Sequence, residues 1–571
     1  MKNKLMNLKC LGLLIVLIIS LNVNAQISER QIGQIDSLFI DWNTPNHPGG
    51  SIGVMKDDKI VFSKSYGLAS LEYLVPNSTE TIYNIASVSK QFTAMGIVLL
   101  DIQGKLSIDD DIRKYLTDLP DFGETITIRH MLHHTSGLRS LHAMLGLAGW
   151  RSDDLRTNED NYRFMKMQKD LNFKPGSEFM YCNTGYMLMV KIIEKVTAEK
   201  FPDWMKKNIF EPLGMNQTYV EDQYNRVVTN NATSYNINSD GNYLRAVEYW
   251  GYTGSGNMHS TTNDLLKWLN NFNAPQSNWE EPFKQMKTLD KLNNGSDNSY
   301  AFGIFINKYL GPDIIQHGGS IGGFNTYVGT CPEEKLSIVV LTNFSSSSCG
   351  SKASQIYGIL LPAEEEKEEE KVDADNSQPV KKNYLVKQID LSNDELKKYE
   401  SSYWNDEENY TRKIYLKNDT LRYFRSSTSE SPIVPIGNDE FQMLNVSVDL
   451  RVKFIINGKL KSMIVTVDDG EPISSQGFEP RTMTTKDLLS YTGKFYSPEL
   501  ETTYDVFLEN GTLFCHHSRH GEFEMKVLKS DVLESEWPMA LTKYKRDKKG
   551  EVTGFYVSNG RVRNLWFEKQ K

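Results

Sequence analysis

One serine and one lysine stand at a spacing that suits nucleophilic catalysis. Ser87 and Lys90 form the only Ser-x-x-Lys pattern in the 571 residues. The surrounding pattern predicts a helix that opens at Ser87 and stops at Gly104, which places Lys90 one turn on and on the same face. A serine at a helix N-terminus lies among free backbone N–H groups, and a buried lysine can accept its proton. The alternative is that Ser87 only caps the helix and Lys90 is solvated.

Two further motifs could contribute polar groups to the same site. Tyr181-Cys182-Asn183 comes after a Pro-Gly turn and before an apolar run that is typical of a helix. The same Tyr-x-Asn pattern at Tyr403-Trp404-Asn405 lies inside a repeat, and we interpret it as chance. The third motif, His317-Gly318-Gly319-Ser320, places a histidine at a predicted strand end, where glycines allow a substrate backbone to approach closely.

Three histidines on one short predicted helix raise the question of a metal. His130, His133 and His134 follow the i, i+3, i+4 spacing that can bring metal ligands together. No glutamate accompanies them in the way that a metalloprotease helix requires. The pattern therefore favours structural hydrogen bonding by these histidines, and we expect neither a metal nor another cofactor.

The composition indicates a folded protein with several domains. The chain has a formal net charge of −9, 39% hydrophobic residues and 11% aromatic residues. At roughly 150 residues per domain, its length is enough for three or four domains. The mild acidity and the lack of a concentrated basic stripe argue against nucleic-acid binding.

Residues 1–25 have the pattern of a secretory signal peptide. Three lysines precede an apolar run at Leu11–Leu21, and Val23-Asn24-Ala25 is a small-residue cleavage site. An uncleaved N-terminal anchor is the alternative. We expect an exported protein, periplasmic or extracellular, without a stable membrane anchor once the signal is cleaved. Export permits disulfides, and Cys331 and Cys349 could pair, although buried thiols are the default interpretation.

Residues 26–360 read as one α+β domain. Ser51–Met55 and Ile60–Ser65 alternate around a turn and predict a β-hairpin, while the segment 314–341 contains three strand-like runs. Helical patterns occupy the sequence between them. Strands at both ends predict an antiparallel sheet flanked by helices, with an inserted helical region.

The C-terminal third contains an internal repeat. Residues 361–383 are an acidic linker, and the segments 384–480 and 481–571 then align at an offset of 92, for example Tyr399 with Tyr491. Each copy starts with a short helical turn and continues in short alternating runs divided by turns. Two small all-β barrels or sandwiches fit this pattern best, and neither contains an obvious catalytic cluster.

The three site motifs, in this order, resemble the serine β-lactamase and penicillin-binding protein superfamily over residues 30 to 355. The nearest resemblance is to class C β-lactamases, family VIII esterases and D-stereospecific peptidases, and supporting blocks include His134-Thr135-Ser136-Gly137-Leu138 and Glu211-Pro212-Leu213-Gly214. A hydrolase domain with two β-rich appendices is similar to the D-aminopeptidases. The family's usual third motif, Lys-[Ser/Thr]-Gly, is absent from the sequence, and His317-Gly318-Gly319 takes its place.

The resemblance implies a role for each site residue. Ser87 would be the acylated nucleophile, and Lys90 and Tyr181 would share the work of the general base. Asn183 would hold a substrate carbonyl or Lys90. Backbone N–H groups of Ser87 and Ser320 would form the oxyanion hole, beside Gly319. His317, next to Lys90 in a desolvated cleft, should have a lowered pKa and carry no fixed positive charge.

These roles lead to the expectation of a secreted serine hydrolase that acts on small esters, amides or D-amino-acid peptides through an acyl-enzyme. A D,D-carboxypeptidase-like penicillin-binding protein is the first alternative. A non-catalytic binding or scaffold protein that keeps the fold is the second. The histidine in the third motif predicts poor β-lactam hydrolysis, because it supplies no fixed charge for a substrate carboxylate.

Overall fold

The computed structural model describes residues 27–361 and 388–571, apart from residues 247–248 and short segments at 407–409, 427–428, 445, 447–448, 468–471 and 480–482. The proposed signal peptide and most of the proposed acidic linker lie outside the described residues. Within that range no helix is long and apolar enough to cross a membrane. The described residues form two compact units, one of residues 27–144 and 150–361 and one of residues 145–149 and 388–571.

The helices are α1 (Glu29–Ser37), α2 (Ser89–Ile102), α3 (Ile128–Leu132), α4 (Leu141–Leu147), α5 (Asn158–Met167), α6 (Asn183–Thr197), α7 (Phe201–Met205), α8 (Thr262–Asn273), α9 (Glu280–Gln285), α10 (Cys349–Leu360), α11 (Asn393–Lys397) and α12 (Thr485–Leu489). Short 3₁₀ turns occur at Ile40–Trp42, Ala86–Val88 and Ile112–Lys114, and a π-helical turn at Lys206–Phe210.

The strands of the first unit are β1 (Gly50–Lys56), β2 (Lys59–Tyr66), β3 (Leu68–Ser70), β4 (Val75–Pro76), β5 (Tyr83–Asn84), β6 (Arg156–Thr157), β7 (Tyr219–Val220), β8 (Tyr235–Ile237), β9 (Tyr243–Arg245), β10 (Trp250–Gly251), β11 (Met258–Ser260), β12 (Asp290–Lys291), β13 (Asp297–Asn298), β14 (Phe305–Lys308), β15 (Asp313–Ile321), β16 (Phe324–Cys331) and β17 (Leu336–Thr342).

A six-stranded antiparallel sheet forms the centre of the first unit. Its order is β14-β15-β16-β17-β1-β2, so the predicted N-terminal hairpin pairs with the three predicted C-terminal strands. Trp42 and Ile356 lie in the hydrophobic core on one face, together with α1 and α10. On the other face, Leu266 of α8 lies 2.8 Å from the place of a Cβ on Gly53. The predicted α+β architecture is therefore confirmed, with the helical segments α2 to α9 inserted between β2 and β14.

The two repeats are closed eight-stranded antiparallel barrels, which confirms the predicted barrel-like repeats. The first barrel is built from β18 (Ser401–Asn405), β19 (Tyr410–Lys417), β20 (Thr420–Ser426), β21 (Ser429–Gly437), β22 (Glu440–Met443), β23 (Leu450–Asn457), β24 (Leu460–Val467) and β25 (Ile473–Phe478). The second is built from β26 (Gly493–Ser497), β27 (Thr502–Glu509), β28 (Thr512–His517), β29 (Gly521–Lys529), β30 (Val532–Ser535), β31 (Leu541–Arg546), β32 (Val552–Asn559) and β33 (Val562–Lys569).

The offset of 92 holds in the local structure of the barrels. Helices α11 and α12 each begin with a capping box, at Ser392 with Glu395 and at Thr484 with Asp487. Residues 145–149, at the end of α4 and just beyond it, belong to the barrel unit, where Tyr504 donates a hydrogen bond of 2.9 Å to the Leu147 carbonyl.

Two cysteines that could have paired do not. Cys331 and Cys349 are both fully buried, and no disulfide joins them. The default interpretation of buried thiols is confirmed for this pair.

Candidate active site

A strained turn presents the Ser87 hydroxyl. Ser87 lies in the 3₁₀ turn Ala86–Val88, and α2 begins two residues later than predicted, at Ser89. The turn that contains Ser87 and Val88 has 3₁₀ geometry, in which the Val88 N–H donates to the Ile85 carbonyl at 3.1 Å, and Ala86 in the same turn has a φ of 49°, in the left-handed region. Such a conformation costs about 1–3 kcal/mol and persists only where the surroundings fix it. Ser87 is half-buried among fully buried neighbours, so its hydroxyl stays accessible from the cleft.

Two buried amides hold this turn in place. The Ala86 N–H donates to Asn84 Oδ1 at 2.9 Å, and Asn84 Nδ2 donates to Asn257 Oδ1, also at 2.9 Å. Both asparagines are almost fully buried, at 0% and 3% exposure. A buried, satisfied polar pair is rigid, because breaking it would leave an unpaired group away from water.

Lys90 is buried against the serine. Its Nζ donates to Ser87 Oγ at 3.2 Å and to the Ser255 carbonyl at 2.6 Å, and the residue is 0% exposed. The predicted placement on the same face as Ser87 is therefore present in the structure. A solvated helix lysine does not fit this burial.

The Ser255 carbonyl is a partner that the sequence analysis missed. It belongs to a segment pressed against α2 and α6, where Thr93 Oγ1 donates to the Gly254 carbonyl at 2.8 Å. A Cβ on Gly254, whose φ is 91°, would lie 2.5 Å from the Tyr186 carbonyl. Glycines at 251, 254 and 256 were the available signal, since closely spaced glycines mark a close approach of backbones.

Tyr181 lies beside the lysine. Lys90 Nζ is 4.7 Å from the centre of the Tyr181 ring, and that ring is 6.1 Å from the ring of His317. The structure thus brings Ser87, Lys90, Tyr181 and His317 into one cleft, although they come from three distant segments of the chain.

His134 fixes the backbone on both sides of Tyr181. Its carbonyl accepts the Met180 N–H at 2.9 Å, and its Nδ1 accepts the Cys182 N–H at 3.1 Å. Because Nδ1 accepts, the ring proton is assigned to Nε2. The His134 ring also lies 4.2 Å from the Tyr181 ring, centre to centre. His134 is therefore a positioning residue for the second motif.

Asn183 is the first residue of α6 and points an open acceptor into a buried site. It is 8% exposed, and its Oδ1 makes no hydrogen bond with any residue that the structure describes. A buried amide oxygen without a protein partner is suited to receive an N–H group from a ligand or from Lys90.

The strand that carries Gly319 and Ser320 runs directly beside the nucleophile turn. A Cβ on Gly319 would lie 2.7 Å from the Ile85 carbonyl and 2.9 Å from Ala86 Cβ, so only glycine fits. Strand β14 pairs with residues 313–316 of β15 only, and Ser320 is exposed. Within the described residues, the edge of β15 next to Gly319 and Ser320 thus has no strand partner.

His317 is buried and has both ring nitrogens in use. Nδ1 lies 2.5 Å from the Gly318 carbonyl and must carry the proton, so Nε2 accepts from the Tyr300 hydroxyl at 3.1 Å. Burial, together with the nearby charge of Lys90, lowers the pKa of His317 to about 3. The ring is therefore neutral at neutral pH, as the sequence analysis expected.

Tyr300 is a second residue that sequence reasoning missed. It is fully buried, and burial raises its pKa well above 10, so it stays a hydrogen-bond donor. His133 Nδ1 donates to the Tyr300 carbonyl at 2.7 Å and so helps to hold this tyrosine. Nothing near Tyr300 in the sequence marks it, because its partner is 17 residues away and reached only through the sheet.

The three histidines of the α3 region serve hydrogen bonding. His130 accepts the Thr127 N–H at 3.1 Å, His133 holds Tyr300 and His134 holds the Tyr181 backbone. Among the described residues no cluster of three or more His, Cys, Asp or Glu side chains could hold a metal ion. The observed contacts fit the structural interpretation of these histidines.

A sequence model of the Beta-lactamase family matches residues 35–355. Penicillin-binding protein 4* of Bacillus subtilis (strain 168) is 30% identical over 335 residues, which cover 54% of this chain and 71% of that protein. A D-aminopeptidase of Brucella anthropi is 26% identical over 302 residues, covering 53% of this chain and 57% of the relative. The match thus spans less than two thirds of that D-aminopeptidase.

A solved structure reaches beyond the matched region. The octameric penicillin-binding protein homologue from Pyrococcus abyssi is 27% identical, with a TM-score of 0.54, over 78% of this chain and 99% of that one. D-amino acid amidase from Ochrobactrum anthropi SV3, at 21% identity and a TM-score of 0.50 over 58% of this chain and 99% of that chain, shares the fold.

Proposed function

The chain belongs to the Beta-lactamase family, and from this premise we propose that it is a serine hydrolase that forms an acyl-enzyme on Ser87. The observation that carries the proposal is the contact of 3.2 Å between Ser87 Oγ and the fully buried Lys90 Nζ. A nucleophile that touches a base within a rigid, desolvated site is the arrangement that acyl transfer needs.

The proposed acylation step uses groups that are already in place. In its neutral amine form, Lys90 Nζ accepts the Ser87 proton as Ser87 Oγ bonds to the substrate carbonyl carbon, and it keeps its bond to the Ser255 carbonyl. Tyr181 shares in moving that proton on to the leaving group, whose bond to the carbonyl carbon then breaks and leaves the acyl group on Ser87. The Ser87 and Ser320 N–H groups stabilise the oxyanion. Water then gives a proton to Lys90 Nζ as its oxygen bonds to the ester carbon, and Ser87 Oγ leaves and takes that proton back.

The proposed substrates are small esters or amides, including amides and peptides of D-amino acids. The name of the D-aminopeptidase relative supports the D-amino-acid class. The neutral His317 supports substrates without a carboxylate at that end of the cleft, because it offers neither charge nor a spare N–H. A D,D-carboxypeptidase would have to bind a terminal carboxylate there, so this alternative ranks second.

We also propose that the protein is exported, on the strength of the signal-like residues 1–25. Expression of the full chain in a bacterial host, followed by fractionation and N-terminal sequencing, tests this. A mature N-terminus after Ala25 supports export, and an intact N-terminus in the cytoplasm contradicts it.

One substrate panel tests the activity. We would measure kcat/KM for p-nitrophenyl esters, D- and L-amino-acid p-nitroanilides and nitrocefin, with the full chain and with Ser87→Ala. We expect turnover of neutral esters or D-amino-acid anilides, weak turnover of nitrocefin and none by the variant. Equal turnover by both proteins would contradict the proposed nucleophile.

A further inference from the structure

A cavity of about 460 Å³ lies at one end of the cleft and plays no part in the chemistry proposed above. Its lining combines cationic, aromatic and amide side chains, among them Arg226, Arg245, Tyr249, Trp250, Asn257 and Phe324. We name it the arginine cavity. Cavities of this size, with a few polar groups among aromatic ones, are the usual form of a small-molecule site.

The arginine cavity borders both elements that present the reacting groups. Asn257, on its wall, accepts from Asn84, which in turn holds the N–H of Ala86 next to the nucleophile. Phe324, also on the wall, pairs with Ile321 at the end of the strand that carries Ser320. A cavity that shares its wall with these elements is placed to receive part of a molecule bound at Ser87.

The residues along β15 show on which side of Ser87 the arginine cavity lies. His317 lies toward one end of the strand segment and Ile321 at the other, which is about 13 Å for four residues of strand. Lys90 and Tyr181 lie near His317, whereas Gly256, Ala86 and Ile321 meet near the other end. The arginine cavity is therefore on the side of Ser87 away from His317.

One arginine in the cavity has no ion-pair partner among the described residues. Arg226 forms an ion pair with Asp222 at 2.5 Å, and Glu221 approaches its Nε at 3.9 Å. Arg245 makes neither a hydrogen bond nor an ion pair within the part of the chain that the structure describes, and its charge acts on Glu72 only at a distance. Glu221 is the one carboxylate among the described lining residues; it is buried, and burial raises its pKa.

Aromatic rings stand at the cavity beside these cations. Tyr224 and Tyr249 are 43% and 46% exposed and meet edge to face, with ring centres 5.5 Å apart. Exposed rings next to an arginine offer a planar apolar surface and a cationic end in one place. This pairing fits a ring that carries a carboxylate, because arginine binds carboxylates in a planar, two-point fashion.

We propose that the arginine cavity, on the side of Ser87 away from His317, receives the acyl part of the substrate and binds a carboxylate-bearing aromatic group there, with Arg245 as the principal cation. This inference rests on the proposed serine hydrolase function and adds a substrate class to it. In this inference Arg245 supplies a positive charge for a substrate carboxylate, at the end of the cleft opposite to the neutral His317.

Two matched esters test the inference. They are the p-nitrophenyl esters of 3-(4-carboxyphenyl)propanoic acid and of 3-(4-methylphenyl)propanoic acid, which differ only in the charged group. We would compare kcat/KM for both in the full chain, in Arg245→Gln and in Arg30→Gln, an exposed arginine of α1 outside the cavity. We expect the carboxylate ester to be favoured by about tenfold or more in the full chain and in Arg30→Gln, since charge-assisted hydrogen bonds are the strong ones. In Arg245→Gln the ratio should fall to about one.

The outcomes separate the two proposals. Turnover of the methyl ester without preference for the carboxylate ester overturns the inference and leaves the hydrolase intact. No turnover of either ester, together with no covalent labelling of Ser87, points to failure of the hydrolase itself. Free 4-methylbenzoate is the probe for a separate ligand. If it stabilises the full chain but not Arg245→Gln, while the esters show no preference, the cavity serves a separate carboxylate and the substrate assignment is overturned.

Discussion

The pattern Tyr-x-Asn occurs twice in this protein, once in the cleft and once in the first barrel, and the two regions use it differently. Tyr181 is half-buried beside Lys90, and the Asn183 Oδ1 that follows has no partner among the described residues. Tyr403 is fully buried and donates to the Tyr399 carbonyl at 3.0 Å, while Asn405 donates to the Ser474 carbonyl at 2.9 Å. The same sequence pattern lines an accessible cleft in the first region and forms part of a hydrogen-bonded core in the second.

The difference lies in what the neighbouring elements supply. In the cleft, β15, α2 and the Ser255 segment converge and bring a buried lysine next to an open serine. In the barrel, Tyr403 belongs to the hydrophobic core, and the Phe454 ring lies 5.7 Å from the Tyr403 ring, centre to centre. The motif therefore contributes to catalysis only where the tertiary structure leaves an accessible cleft beside it. Paired substitutions in the two regions can test that statement.

Replacing the nucleophile should give the largest contrast. Ser87→Ala should lower kcat/KM by about 10⁴-fold or more, the scale seen when a catalytic serine is removed. Ser402→Ala, next to the second Tyr-x-Asn, should change it by less than about twofold. Steady-state kinetics check the rates, and thermal melts check that both variants fold. A Ser87→Ala protein with substantial turnover would break the comparison.

Lys90→Ala should follow, with a loss of about 10² to 10⁴ in kcat/KM, the range for a missing general base. Its side chain is fully buried and bridges Ser87 to the Ser255 carbonyl, so the substitution removes both contacts. Lys529→Ala, a lysine that packs on Trp404 in the barrel unit, is the matched control. Near-full activity of Lys90→Ala would mean that the proton goes elsewhere.

The two tyrosines provide the most direct pairing. Tyr181→Phe should lower kcat/KM by about 10²-fold or more, because a hydroxyl that moves a proton is removed. Tyr403→Phe should leave kcat/KM unchanged and lower the free energy of unfolding by about 1 kcal/mol, the usual net worth of one buried hydrogen bond. The comparison fails if the two variants show the same rate.

His317 should have a smaller effect, on selectivity. Both its nitrogens are engaged, and it carries no charge at neutral pH. His317→Lys should favour a substrate with a carboxylate at that end of the cleft over a neutral one by about tenfold, relative to His317→Ala, since a charge-assisted bond is gained. The absence of any relative gain would show that charge at this position does not govern selectivity.

Acid stability should show the smallest effect. The pKa of His317 and that of His259 are lowered by burial to about 3, below the unfolded value of about 6.5. Their contribution is complete above that unfolded value and is lost as the pH falls toward 3, because only the unfolded chain binds the protons. Each histidine should add ~1.4 kcal/mol per pH unit to the slope of the unfolding free energy in that window. Denaturant titrations at several pH values should show a shallower dependence of the unfolding free energy on pH in His259→Gln than in the full chain. The control is His516→Gln, at an exposed barrel histidine, and it should leave that dependence unchanged.

Much of the architecture was predictable because repeats, cap residues and strand patterns can be read from short stretches of the sequence. The offset of 92 anticipated both barrels, and their opening helices repeat even the cap residues Ser392 and Thr484. Three strand-like runs lie within residues 314–341 and are separated by short turns, so neighbouring antiparallel strands followed from them. Ser87, Lys90, Tyr181 and His317 were predictable because each stands in a short motif.

The partners of those residues could not be predicted in the same way. The Ser255 carbonyl reaches Lys90 across 165 residues of chain, and backbone oxygens carry no sequence signature. His134 acts through its carbonyl and one ring nitrogen, and Tyr300 acts through the sheet. The 3₁₀ turn before α2 could not be predicted either, because it includes the left-handed Ala86, a conformation that alanine seldom adopts and that the Asn84 side chain holds by a hydrogen bond.

Covalent trapping tests the central claim most directly. The full chain would be treated with a fluorophosphonate, and the adduct would be measured by intact mass and located by peptide mapping. We predict a single adduct on Ser87, formed at a rate that falls in Lys90→Ala, and no adduct in Ser87→Ala. An adduct on any other residue, or ester hydrolysis that continues with Ser87 unmodified, would contradict the assignment of Ser87 as the nucleophile.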